Sequence, residues 1–292
     1  MKRVSIILVN YNGFEDTVGC VESLLQIDYS NFEIVIVDNG SSDDYRKLRE
    51  EYNSSNVIVL DSGKNLGFSG GNNIGIRYAI ERGTDYILLL NNDTIVEPDF
   101  LAHMVFAANE HNDGYVITNK MMYAFEKGKI WCAGGNFDPK TSRTSAYGIN
   151  ETDRDEYNHR REINFASGCC MLIPSKVLYA VGLMKEDYFL YCEDTDYCLR
   201  IQKAGFGILY EPKSKIYHKV NASTNKIAGI QTYYLVRNKL YIIKYYIQYR
   251  YKLRAYLYVA AETIKRIISR EYNFFAAING VKDFILGIKG KK

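Results

Sequence analysis

A parallel β-sheet covered by α-helices is the architecture this sequence predicts. Two observations carry the prediction. Within the first ninety residues, short apolar runs alternate with stretches whose apolar residues recur at helical spacing, and strand, helix, strand at that rhythm calls for crossover connections. The 292 residues are 47% apolar and 24% charged, an ordinary globular mixture that excludes collagen-like, coiled-coil and wholly disordered chains.

Taken in order, residues 4–9, 33–37, 57–60 and 86–90 read as buried strands, because the runs are short and mostly β-branched. Residues 14–26, 43–52 and 72–81 carry the helical spacing between them. After the apolar run 170–173, Leu199, Ile201 and Ala204 mark a short helix ending at Gly205, with Glu193, Asp194 and Asp196 at its N-terminus. From Thr232 to Leu253 the spacing predicts one long helix. Arg237, Lys244, Gln248 and Lys252 fall on one face of it, and Ile242, Tyr246, Tyr249 and Leu253 on the other.

Charge divides the chain in the same place. Residues 1–230 carry 24 basic and 31 acidic side chains, whereas residues 231–292 carry 13 and 3. The second part, with nine tyrosines between Tyr233 and Tyr258, reads as a basic helical tail suited to an anionic membrane surface. Packing on the first domain, or on a second copy in a homo-oligomer, is the alternative; the polar-face pattern reads better as an interfacial helix than as a nucleic-acid surface. No apolar stretch approaches the roughly 18 residues of a membrane span, and the first apolar run is too short for a signal peptide. Six cysteines without a C-x-x-C pair fit free thiols in a reducing compartment, so the expected location is the cytoplasm, peripheral to the inner face of the membrane.

In such sheets ligands bind beyond the carboxyl ends of the strands, so the residues just after each strand hold the chemistry. Asn10-Tyr11-Asn12-Gly13 has one glycine where a dinucleotide fingerprint needs three. Asp38, after the second strand, is placed to accept a nucleobase N–H or a ribose hydroxyl, while Asp43 suits a helix cap. The glycines that follow Lys64 and Asn65 suit a phosphate loop or a plain turn equally, and the Gly-Lys-Ser/Thr ending of a P-loop is missing. After the fourth strand come Asn91, Asn92 and Asp93. One carboxylate is too few for a closed cage, which points to a loosely held Mg²⁺ or Mn²⁺ shared with a substrate. The three acids at the later helix either complement its dipole or supply a general base, and the metal site upstream favours the base. His218 gains a role only by meeting Asp93 in space. Trp131 serves equally as an acceptor wall or a core side chain.

Together, V-S-I-I-L-V-N-Y-N-G, V-D-N-G-S-S-D, K-N-L-G-F-S-G-G-N-N-I-G, L-L-L-N-N-D-T and F-L-Y-C-E-D-T-D-Y-C-L-R resemble the family-2 glycosyltransferases, nearest the rhamnosyltransferase-like enzymes of bacterial surface-polysaccharide assembly. The resemblance runs from about Val4 to Asn238. It implies a GT-A fold: a nucleotide-sugar-binding half over about residues 1–115, an acceptor half over 116–230, and the helical extension beyond. It implies inverting transfer from a dTDP- or UDP-sugar to a saccharide acceptor, lipid-linked in that branch. By it, Asp194 is the catalytic base, and Asp93 with His218 holds Mn²⁺ or Mg²⁺. Asn10, Asp38, Asn65, Asn92 and Arg237 would contact the nucleotide sugar. Tyr234 and Asn238 replace two residues of the processive Q-x-x-R-W pattern, which argues against a long processive channel. A sugar-nucleotide nucleotidyltransferase is the rival enzyme, and would open with a glycine-rich basic loop where N-Y-N-G stands. A pseudoenzyme recruiting partners to a membrane is the non-catalytic rival.

Overall fold

The computed structural model of the chain describes residues 1–52, 56–220 and 229–292. The first half alternates β1 (Val4–Asn10), α1 (Phe14–Leu24), β2 (Phe32–Asp38), α2 (Asp44–Glu51), β3 (Val57–Asp61), α3 (Gly67–Glu81) and β4 (Tyr86–Asn91). There follow β5 (Thr94–Val96), α4 (Phe100–Glu110), β6 (Tyr115–Tyr123), β7 (Ile130–Cys132), β8 (Gly135–Asp138), β9 (Arg143–Ala146) and β10 (Arg161–Ile163). The last elements are β11 (Cys170–Pro174), α5 (Ser175–Val181), α6 (Glu193–Lys203), β12 (Gly207–His218), α7 (Ile230–Tyr246), α8 (Tyr249–Ile268) and α9 (Phe274–Ile285).

The main sheet runs β10-β12-β6-β11-β4-β1-β2-β3, with β5 added to β12 and β7 to β6. Strands β4, β1, β2 and β3 are parallel, so their carboxyl ends share one edge; β11 runs antiparallel between β4 and β6. Both faces are covered, which is why these strands are apolar throughout rather than alternating. Ile6, Leu8, Ile34 and Leu88 belong to one core cluster, on the α1 side of the sheet, while Ile7, Val35, Val37 and Leu89 belong to a second, under α3, that extends through α6 to α7. Helix α1 shows the local logic: Thr17, Cys20, Val21 and Leu24 are buried at spacings of one helical face. All six cysteines are free.

Three expectations need correction. Helix α3 begins at Gly67, so the glycines read as a phosphate loop or turn lie inside a helix. They permit close packing: a Cβ on Gly71 would meet Val9 Cγ1 at 2.8 Å, and one on Gly75 would meet Ile7 Cγ2 at 2.5 Å. The single helix expected over residues 232–253 is broken at Ile247 and Gln248 into α7 and α8. Its expected faces do not survive either, because Arg237 and Ile242 are both buried and α7 joins the core beneath the sheet.

Candidate active site

Strand register assembles the first part of the site. Asn10 lies opposite Asp38, and Val9 opposite Asn91, so the ends of β1, β2 and β4 converge. The Asn10 amide donates to Asp38 Oδ1 at 2.8 Å and Asp44 Oδ2 at 3.1 Å. Its carbonyl oxygen accepts from the Thr17 hydroxyl at 2.9 Å, and Asn92 Nδ2 donates to that same hydroxyl at 2.8 Å. One hydrogen-bonded row, Asp38-Asn10-Thr17-Asn92, therefore ties β2 to the turn after β4. Asp38 is 1% exposed, and its second oxygen accepts the Ser41 N–H at 3.1 Å. Asn65 stands at the start of α3, where its Oδ1 accepts the Gly67 N–H at 2.9 Å. Buried Asn39 fixes that turn by accepting the Leu66 N–H at 2.9 Å and donating to the Gly67 carbonyl at 3.1 Å.

The second part is the meeting of Asp93 and His218, 125 positions apart in sequence. Strand β5 pairs with β12 so that Thr94 faces His218, and the Lys219 N–H donates to the Asp93 carbonyl at 2.9 Å. This sets Asp93 Oδ1 3.1 Å from His218 Nε2. Two neighbouring ligands of one ion, each at about 2.1 Å and at right angles, would stand about 3.0 Å apart. Asp93 Oδ1 and His218 Nδ1 are also buried polar atoms without a hydrogen-bond partner among the described residues. The pair fits a divalent cation. Among the described residues no third His, Cys, Asp or Glu joins it, so substrate oxygens and water would complete the shell. Trp131 packs edge-on against the His218 ring, centroids 4.4 Å apart, and holds the imidazole's orientation.

The third part is the start of α6. Glu193, Asp194 and Asp196 occupy its first turn, but they do different things. Asp196 is a structural hub, accepting from Lys185, Tyr188, Arg200 and Tyr246. Asp194 accepts the Thr195 N–H at 2.7 Å and, more loosely, the Gly168 N–H at 3.4 Å. Gly168 precedes Cys169, whose carbonyl accepts the Asn91 N–H at 2.8 Å, so Asp194 sits beside the strand end that carries Asp93. Burial raises the Asp194 carboxyl above its ordinary value although these N–H groups pull it down. Glu193 is pushed up to about 8, by burial first and then by the charge of Asp194, and its Oε2 has no hydrogen-bond partner among the described residues. Both acids line a cavity of about 180 Å³ with Ser142, Thr144, Phe165 and Lys239.

The approach to α6 is a strained turn: Phe189, Tyr191 and Cys192 have φ of 63°, 66° and 68°. Asn238 holds it by donating to the carbonyls of Tyr188, Leu190 and Tyr191 at 3.0, 2.8 and 2.8 Å. Here Arg237 departs from expectation. It is fully buried, and its guanidinium donates to the Asn238 side chain, the Tyr233 hydroxyl and the carbonyls of Gly290, Asp187 and Tyr188. All its donors are engaged, which leaves none for a diphosphate in this arrangement. It braces the turn rather than facing the cavity.

With that geometry in place, comparison with known proteins decides the family. The sequence profile described as "Glycosyl transferase family 2" matches residues 5–182, more than half of the chain. The chain belongs to glycosyl transferase family 2. It is 28% identical over 211 residues to the low-salt glycan biosynthesis hexosyltransferase Agl10 of Haloferax volcanii, covering 70% of this chain and 63% of that protein. It is 26% identical over 214 residues to the N-acetylglucosaminyl-diphospho-decaprenol L-rhamnosyltransferase of Mycobacterium tuberculosis, covering 66% of this chain and 68% of the relative. In three dimensions it resembles the crystal structure of GalNAc-T7 with UDP, GalNAc and Mn²⁺, with a TM-score of 0.67, 15% identity, and coverage of 84% and 48%. The fold of this family-2 glycosyltransferase is thus of the GT-A type.

Sequence reasoning overlooked Thr17, Asn39, Asn238 as a clamp, and the part α7 takes in the cavity through Leu235, Lys239 and Ile242. Only Asn39 gave a local signal, since it stands directly after Asp38 at a strand end.

Proposed function

We propose that the chain catalyses inverting transfer of a sugar from a dTDP- or UDP-sugar to a saccharide acceptor, lipid-linked, in the assembly of a surface polysaccharide. The observation that carries this reading is the placement of Asp194, which lines a cavity, beside the end of the strand that precedes Asp93, the partner of His218. The similar L-rhamnosyltransferase, named for a diphospho-decaprenol substrate, supports the acceptor class, and the Mn²⁺ and UDP named for the structural relative support the donor half.

In this reading Asp38 accepts an N–H of the pyrimidine, and the Asp38-Asn10-Thr17-Asn92 row fixes the nucleoside relative to Asp93. Asp93 and His218 hold Mn²⁺ or Mg²⁺, which when bound offsets the negative charge that develops on the diphosphate leaving group. Asp194 takes the proton of the acceptor hydroxyl as that oxygen bonds to the anomeric carbon. The bond from that carbon to the phosphate oxygen breaks, and the nucleoside diphosphate departs from the opposite face. A single displacement inverts the configuration. The raised carboxyl of Asp194 makes it a stronger base than an exposed aspartate. The cavity beside it, with hydroxyls from Ser142 and Thr144 and apolar walls from Phe165 and Ile242, receives the acceptor sugar.

Thermal-shift measurements with UDP, dTDP, GDP and CDP, each with Mn²⁺ or with EDTA, test the donor half. A pyrimidine nucleotide should stabilise the protein only in the presence of the metal. Equal stabilisation by GDP, or indifference to EDTA, would refute the donor assignment.

A further inference from the structure

Helices α8 and α9 both pack on α7 and leave long apolar stripes uncovered. On α8, Tyr249, Leu253, Leu257, Ile264 and Ile268 recur at spacings of 4, 4, 7 and 4, and each is more than half exposed. Phe274, Ile278, Val281 and Ile285 recur on α9 at 4, 3 and 4 and are exposed to between 40% and 74%. Contiguous apolar surface of this kind marks a docking face. Its flanks are basic: Arg250, Arg254, Lys265 and Lys282 are exposed, and each stands one residue after a stripe member. The acids are neutralised within the protein. Between residues 249 and 288 only Glu262, Glu271 and Asp283 are acidic. Glu262 pairs with Lys239 at 2.7 Å, Glu271 with Arg266 at 3.2 Å, and Asp283 with Lys292 at 3.6 Å. Among the described residues, Arg254, Lys265 and Lys282 form no ion pair.

From this charge pattern we infer that the α8-α9 surface docks on an anionic lipid bilayer, its stripes entering the headgroup boundary and its basic flank meeting lipid phosphates. No helix among the described residues is long and apolar enough to cross a membrane, so the contact lies in the plane of the interface. The corresponding face of α7 is spent on the core, so docking falls to the two later helices. Cavity-lining α7 lies directly beneath them, which brings the cavity to a lipid-borne acceptor. The docking itself does not depend on the transfer reaction.

Flotation of the full chain with vesicles tests this, comparing equal parts phosphatidylglycerol and phosphatidylcholine with phosphatidylcholine alone. The protein should float with the anionic vesicles at low salt and be released as salt rises. Each basic residue near such a surface accounts for about a fivefold change in partition, so Lys265→Gln with Lys282→Gln should weaken it about 25-fold. Leu257→Asp with Ile264→Asp should abolish it; both side chains are exposed, so the fold, checked by circular dichroism, should hold. Equal flotation with neutral vesicles, wild-type flotation by either double variant, or a stable dimer that Leu257→Asp dissociates would overturn the proposal. The last result would assign the face to a second copy of the chain.

Discussion

Replacing Glu193 with Gln should remove a specific loss of stability on the alkaline side. Glu193 is 7% exposed, and burial together with the charge of Asp194 moves its carboxyl from 4.5 to about 8. Because the folded value lies above the unfolded one, the native state holds this proton longer. The resulting stabilisation is complete below the unfolded value of about 4.5 and is lost as pH rises through about 8. Within that window each pH unit removes up to about 1.4 kcal/mol. Between about pH 6 and pH 8 the wild type should therefore lose about 2 kcal/mol that the variant, with no proton to release, retains. Urea unfolding at a series of pH values measures this directly. Below about pH 4.5 the two proteins should be alike, since glutamine copies the protonated acid, and the curves should separate progressively above it. Parallel curves for wild type and variant would refute the burial argument.

Two further outcomes follow from the site. Asp93→Ala should leave UDP or dTDP binding insensitive to EDTA in titration calorimetry, whereas the wild type loses affinity on chelation; persistent sensitivity in the variant would place the metal elsewhere. Asn238→Ala removes the amide that donates to the Tyr188, Leu190 and Tyr191 carbonyls, so it should destabilise the protein by about 1–3 kcal/mol. It should also lower kcat, because a displacement of about 1 Å at the base costs about 10²-fold, with nucleotide affinity unchanged; a normal kcat would show that the turn needs no clamp.

What could be read from sequence follows from how local each feature is. Strands β1 to β4 were visible because burial on both faces makes each a short apolar run. Asp38 and Asp93 were visible because a carboxylate interrupts such a run at its carboxyl end. The first turns of α3 were hidden because glycine is a poor helix former, and close contact with Phe189, Leu66, Val9 and Ile7 explains its use at Gly67, Gly70, Gly71 and Gly75. Arg237 looked like a surface cation because its partners lie about 50 residues away in both directions, at Asp187, Tyr188 and Gly290. The amphipathic reading of α7 failed for the same reason: Tyr246 hydrogen-bonds to Asp196 of α6 rather than facing a membrane. The pairing of His218 with Asp93 depends on β5 adding to β12, a three-residue contact that no periodicity announces.

The role of Asp194 as proton acceptor is tested most directly by the Asp194→Asn protein, with donor binding and transfer measured on the same preparation. Calorimetry should give a nucleotide affinity close to wild type, since the hydrogen bonds Asp194 makes among the described residues go to Thr195 and Gly168. Transfer from the nucleotide sugar should fall by about 10²- to 10⁴-fold, the usual contribution of a positioned base. Retained binding with near-normal transfer would contradict the assignment.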